Sequence, residues 1–117
     1  MNPDQFTLKL QEALQAAQQL AAQRNHAELG CAHLLAALLG QSDGLARPIL
    51  IKLGAKPETV ARGVEALLAK RPSVQGSPGQ QVYVGSDFRA AMNAAEKRRS
   101  ELGDDYTSIE HVLLALA

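Results

Sequence analysis

Cys31-Ala32-His33-Leu34-Leu35-Ala36-Ala37-Leu38-Leu39 returns 78 residues later as Ile109-Glu110-His111-Val112-Leu113-Leu114-Ala115-Leu116-Ala117. Each stretch places a histidine ahead of an apolar run that carries no charge, and so uniformly apolar a run reads as a short buried helix. The same offset, carried back through the preceding segment, pairs Leu10 with Phe88, Ala13 with Ala91, Leu14 with Met92, Ala16 with Ala94 and Ala17 with Ala95. The chain therefore reads as an internal duplication of a helical unit.

Of the 117 residues, 46% are hydrophobic and only 3% aromatic, so the core must be built from Leu, Ala, Val and Ile. Such segments, poor in β-branched and aromatic residues, favour helices and make a single all-α domain the expectation. Twelve basic and twelve acidic residues cancel, which removes the electrostatic footprint of a nucleic-acid or anionic-membrane binder. One cysteine, Cys31, excludes an intramolecular disulfide. The start Met1-Asn2-Pro3-Asp4-Gln5 has neither the basic nor the apolar region of a secretory leader. No window is apolar enough to span a bilayer, and a soluble cytoplasmic protein is expected.

Thr7 is placed to cap a first helix in which Leu10, Ala13, Leu14, Ala17 and Ala21 recur at helical spacing up to about Arg24. Asn25 to Gly30 breaks the pattern before the Cys31–Leu39 helix, which Gly40 closes. Gly44 to Leu53 reads as a third helix with Pro48 in its first turn, where a missing amide costs little, and Gly54 ends it. Pro57 opens a fourth, with Val60, Val64, Leu67 and Leu68 on its apolar face, and Arg71-Pro72 closes it. From Pro72 to Gly85 the chain loses helical period and gains glycines, so this stretch is expected to be a linker, with Gln81-Val82-Tyr83-Val84 as a short extended piece. Ser86 is expected to cap a fifth helix with Phe88, Ala91, Met92, Ala95 and Leu102 inward. Thr107-Ser108-Ile109-Glu110 has the pattern of a capping box opening the sixth, with Glu110 answering the amide of the cap residue. The expected organisation is repeat one over 7–71, a linker over 72–85 and a truncated second repeat over 86–117, with further helices to follow.

His33 and His111 stand at equivalent helix starts, without His-x-x-x-His or Cys-x-x-Cys spacing around them, so neither a metal ligand set nor a catalytic residue is expected. Structural imidazoles bonded to backbone and fixing the interhelix turn are expected instead. Cys31 is expected to be a small packing residue. Lys97-Arg98-Arg99, between Glu96 and Glu101, reads as a solvated helix face. Tyr83, Met92, Tyr106 and Leu113 are candidates for an apolar groove between the units, because flexible Met and amphipathic Tyr suit varied partners. Core packing accounts equally for Met92 and Leu113.

Taken in order, these residues resemble the N-terminal domain of the Clp/Hsp100 AAA+ unfoldases, and its ClpB-type disaggregase branch most closely. Phe6-Thr7, Ala32-His33-Leu34-Leu35-Ala36-Ala37-Leu38-Leu39, Leu53-Gly54 and Arg71-Pro72-Ser73-Val74-Gln75-Gly76 carry the resemblance. So do Gln81-Val82-Tyr83, Gly103-Asp104-Asp105-Tyr106 and Ser108-Ile109-Glu110-His111 with the apolar run that follows. The resemblance implies a pseudo-twofold pair of helical repeats serving as a mobile substrate-engaging module at the mouth of a homohexameric ring. Its partner would be unfolded or aggregated protein, with an Hsp70-system co-chaperone for the whole assembly. ATP and magnesium would belong to ATPase modules elsewhere in the protein, since no Gly-x-x-x-x-Gly-Lys-Ser/Thr run occurs in these residues.

The same resemblance maps roles in partner or substrate engagement onto Thr7, Asp104 and Glu110. ClpC-type relatives carry an acidic residue before both histidines, and the pair receives a marked arginine. Here the first repeat has Ala32, which implies that no symmetric phosphoarginine site exists and that polar recognition lies on the second copy's side. Two other functions are weighed: an adaptor-docking domain of a ClpA- or ClpC-type protease ATPase, and a small helical enzyme using His33 or His111 as a base. The Gly/Pro linker and Ala32 lean away from the first, and the lack of an activated nucleophile or paired carboxylates from the second. As a fragment the chain would be a monomer or a weak self-associator through apolar surface on the fifth and sixth helices.

Overall fold

In a computed structural model that describes residues 3–41, 44–71 and 83–116, the chain forms six helices and a two-stranded parallel pair. A single 3-10 turn over Pro3–Gln5 leads into α1, Leu8–Gln23. There follow β1, Glu28–Leu29; α2, Cys31–Gly40; α3, Ala46–Lys52; and α4, Pro57–Lys70. The second unit holds β2, Tyr83–Val84; α5, Ser86–Leu102; and α6, Ile109–Leu116. The all-α fold is as expected from composition, with the β-pair as its one addition. No helix among the described residues is long and apolar enough to cross a membrane.

Several helix ends have a local cause. Thr7 caps α1, its Oγ1 accepting the Leu10 amide at 3.3 Å. At the other end the chain turns through Asn25 at φ 58°, while the Asn25 and His26 amides return to the carbonyls of Ala22 and Ala21. This is the 6→1, 5→2 closure of a left-handed cap. The end of α5 repeats it bond for bond, with Gly103 at φ 72° and the Gly103 and Asp104 amides on Ser100 and Arg99. Pro57 takes the first position of α4, and Pro48 falls in the first turn of α3.

The two repeats interlock rather than sit side by side. The segment before α1 pairs with the segment before α6, through Thr7 N–H to Thr107 C=O at 3.0 Å and Thr107 N–H to Gln5 C=O at 2.7 Å. The segment before α5 pairs with the segment before α2, through Tyr83 N–H to Ala27 C=O at 2.9 Å and Gly85 N–H to Leu29 C=O at 2.8 Å. Shifted by 78 residues, one crossing is the other. Around them α1, α2, α5 and α6 bury Leu10, Ala13, Ala17, Leu34, Leu38, Phe88, Met92, Ala95, Ile109 and Val112 in one cluster. The alanines on α1 and α5 let the helix backbones approach, and the leucines fill between them, each worth about 2 kcal/mol of burial. Val64 and Leu68 of α4 are buried as well.

Several expectations are corrected. Ser86 is the first residue of α5, and the cap position falls on Gly85, where a Cβ would lie 2.8 Å from the Leu29 carbonyl oxygen. The close pass of β1 therefore selects glycine there. Leu102 is 61% exposed, not inward, and Leu67 points to solvent, so α4 buries a narrower stripe than its apolar pattern suggests. In α6 the Ser108 carbonyl accepts the Val112 amide, which makes Ser108 the cap residue. The expected linker lies outside the described residues over 72–82, as do Gln81 and Val82 of the extended piece.

Candidate functional site

An apolar groove of about 520 Å³ runs between the outer face of α1 and the β1–β2 pair. Its floor is Phe6, Leu29 and Phe88, and its rims carry Leu8, Leu14 and Val84. Leu8 is 76% exposed, the largest exposure of any large apolar side chain among the described residues. Gln11, Gln15 and Gln18 follow one another up α1 along the groove, with Glu12 beside them. Gln11 Nε2 donates to the Phe6 carbonyl at 3.0 Å, which fixes the end of the groove. Gln15 and Gln18 are exposed, and each offers an amide donor and an acceptor to whatever lies in the groove.

The histidines at the two helix starts are capping residues. His33 Nδ1 accepts the Gly30 amide at 3.0 Å, and His111 Nδ1 accepts the Ser108 amide at 2.9 Å. In a capping box the third helical residue answers the cap amide with Glu or Gln. Here an imidazole does so in both repeats, and Glu110, expected to play that part, stands exposed at the second position of α6. Since Nδ1 accepts, the neutral ring carries its proton on Nε2. That proton is directed at His26 Nδ1, 2.8 Å away, in the first repeat and at Asp104 Oδ2, also 2.8 Å away, in the second. Positions 26 and 104 are themselves equivalent.

These bonds decide what the imidazoles can do. Ser108 Oγ lies 3.0 Å from His111 Nδ1, so serine, histidine and aspartate are linked in a row. The Nδ1 lone pair that would take a serine proton is already engaged by the Ser108 amide, and the row caps a helix. His33 and His26 lie close enough to suggest a shared metal, but each nitrogen facing the other is committed to their mutual hydrogen bond. Among the described residues no group of three or more His, Cys, Asp or Glu is placed to hold a metal ion.

Burial, with Arg71 and Arg24 nearby, lowers the pKa of His26; burial, Arg71 and His26 lower that of His33 to about 4. Burial and the neighbouring Asp87 carboxylate push the Cys31 thiol up to about 11, which leaves it protonated and unreactive. Asp87 Oδ2 accepts the Cys31 amide at 3.3 Å, so the first turn of α5 also holds the start of α2.

The residues singled out by sequence separate into three groups. The Phe6–Thr107 bridge brings Thr7 alongside Thr107, which lies three residues along the chain from both Asp104 and Glu110. Thr7 and Asp104 are each engaged there in holding the fold. Tyr83 and Tyr106 are exposed, at 64% and 55%. Met92 and Leu113 are core residues on the inward faces of α5 and α6, and neither lines the groove. No sequence pattern announces the groove, whose walls come from separated segments, although Leu8 marks it. An apolar residue one turn from Gln11 and Glu12, on the glutamine face of an amphipathic helix, has no core to enter.

Comparison with known proteins agrees with this architecture. A profile of the Clp repeat (R) N-terminal domain matches residues 5–117. The chaperone protein ClpB of Bacillus cereus is 43% identical over 119 residues, covering all of this chain and 14% of that protein. ClpB of Corynebacterium diphtheriae is 42% identical over 111 residues, covering 95% of this chain and 13% of its own length. The chain thus spans about a seventh of these relatives. The Hsp104 N-terminal domain of Candida albicans superposes with a TM-score of 0.83 at 25% identity, over 95% of this chain and 72% of that one. The N-terminal domain of an E. coli ClpV1 ATPase gives 0.85 at 22% identity, over 97% of this chain and 68% of that one, a likeness of fold. With the profile covering all but the first four residues, this chain belongs to the Clp repeat N-terminal domain family.

Proposed function

We propose that the chain is the substrate-binding module of a ClpB-type disaggregase and holds extended apolar segments of unfolded or aggregated polypeptide in the α1 groove. The carrying observation is the groove itself, whose exposed Leu8 and Val84 face a row of glutamines. Leucine, valine and phenylalanine walls take apolar side chains without selecting one sequence. The amides of Gln15 and Gln18 pair with backbone, which every polypeptide presents. The contact is shallow and open, which suits a segment that must be released onward. In the longer protein this module would serve a hexameric, ATP- and magnesium-dependent ring in the cytoplasm, together with an Hsp70-system co-chaperone. The identity to ClpB chaperones supports that assignment.

Titration of a rhodamine-labelled peptide of alternating leucine, serine and asparagine tests the groove. Micromolar-to-millimolar binding that is lost on Leu8→Ser or Val84→Ser, in variants with unchanged circular dichroism, is the expected result. Equal affinity in both variants overturns the assignment.

A further inference from the structure

The two capping histidines differ in how they meet a proton. In the first repeat a chain of bonds runs from the Gly30 amide to His33 Nδ1, and from His33 Nε2–H to His26 Nδ1. His33 and His26 are 0% and 5% exposed. A proton added to His26 Nδ1 sets two N–H groups against each other. If His33 switches tautomer to accept that proton's bond, its own Nδ1 becomes protonated and meets the Gly30 N–H instead. A proton on His33 Nδ1 meets the same amide directly. Every placement costs one link.

The second repeat also gives up its amide bond when Nδ1 is protonated, but it has a place for the proton and a counter-charge. A proton on His111 Nδ1 can be accepted by Ser108 Oγ, already 3.0 Å away, and the Asp104 carboxylate at Nε2 offsets the charge. Position 30 is glycine and position 26 is histidine, so the first repeat has neither. The charges that face the pair are cationic: Arg24 at the end of α1 and Arg71 at the end of α4. The nearest carboxylates are otherwise occupied or turned outward. Glu65 of α4 bonds Arg24 at 2.7 and 2.8 Å, Asp87 of α5 holds the Cys31 amide, and Glu28 of β1 is exposed. Cys31, the remaining titratable neighbour on α2, stays a neutral thiol.

Residues 26 and 33 bracket β1, whose Leu29 lies on the groove floor and holds Val84 across the β-pair. We propose that the His26–His33 pair is an acid-sensitive latch on the β1–β2 wall of the groove: protonation breaks the chain of bonds to Gly30, frees the turn carrying Leu29, and weakens capture of polypeptide. The release of polypeptide rests on the groove being the binding site. The opening of the latch does not.

Two measurements on the 117-residue chain separate these parts. The first is amide hydrogen exchange by NMR between about pH 7.5 and 5, expressed as protection factors. Gly30 is expected to lose about fivefold or more of its protection in wild type and to keep it in His26→Asn/His33→Gln, the factor corresponding to one lost hydrogen bond. Parallel behaviour of Gly30 in the two proteins overturns the latch. The second is affinity for the leucine-serine-asparagine peptide, which, labelled through its terminal amine, carries no group titrating in that range. Wild type is expected to weaken about fivefold over the same interval. The double variant His26→Asn/His33→Gln keeps an acceptor for Gly30 and a donor for position 26 without a titrating group, and is expected to be flat. An identical pH profile in the double variant overturns the coupling of latch to groove. No binding at about pH 7.5 overturns the groove, while the amide comparison still decides the latch.

Discussion

Asn25 and Gly103 are the same turn residue in two repeats, each in the left-handed region at φ 58° and φ 72° and each followed by an amide that returns to the carbonyl five residues back. Glycine enters that region freely, and asparagine at modest cost. Gly103→Ala is therefore expected to lower stability by about 1 kcal/mol, whereas Asn25→Gly should change it by well under that. Urea unfolding of the two variants measures both, and a larger loss at Asn25 than at Gly103 would contradict the equivalence.

Thr107 offers a gain. Its backbone makes both bonds of the Phe6–Thr107 crossing, but its fully buried hydroxyl has no hydrogen-bond partner. The equivalent residue of the first repeat is Leu29. Thr107→Val keeps the shape and removes the orphaned hydroxyl, so a gain of about 1 kcal/mol in unfolding free energy is expected. A loss would mean that the hydroxyl is satisfied.

The fold was legible because the repeated helix, the Thr7 cap and the two prolines act locally, within a turn of the residues that show them. What eluded the sequence depends on partners far along the chain. The Phe6–Thr107 and Leu29–Val84 crossings join residues 101 and 55 apart, and a two-residue strand has no period to read. Gly85 reads in sequence as a linker glycine, and only the passage of β1 beside it explains the residue type. The capping-box pattern points to Glu110, because carboxylates and amides usually fill that part, whereas here an imidazole held from its other side takes it. That second contact comes from His26 and Asp104, which sit in turns and carried no pattern of their own.

Lowered histidine pKa values make stability pH-dependent in a defined direction. The folded state binds protons at His26 and His33 less readily than the unfolded chain, where the ordinary value is about 6.5. Their contribution is complete above that value and is lost progressively as the pH falls toward about 4 at His33. Urea midpoints from about pH 7 to 4.5 should therefore decline in wild type and decline less in His26→Asn/His33→Gln. Equal slopes would remove these histidines from the acid response.

Cys31 should be slow toward alkylation in the folded chain. A thiol raised from 9.0 to about 11 holds roughly a hundredth of the ordinary thiolate at neutral pH. Iodoacetamide is expected to label the native protein about two orders of magnitude more slowly than the same chain in denaturant. Comparable rates in the two states would mean that the Asp87 contact and partial burial leave the thiol ordinary.

Asp104 distinguishes a residue that touches a partner from one that holds the fold. Its carboxylate lies 2.8 Å from His111 Nε2, and that ring in turn holds the Ser108 amide. Asp104→Asn keeps an acceptor at the same place, so stability and peptide capture should both survive. Asp104→Ala leaves a buried N–H without its partner and is expected to cost about 1–2 kcal/mol. His111→Ala orphans the Ser108 amide and leaves a cavity as well, for about 2–4 kcal/mol, while His111→Gln restores the usual capping-box residue and most of the loss. Thermal unfolding and peptide titration on all four variants give the answer. Loss of capture in Asp104→Asn at unchanged stability would show that its charge meets the partner directly.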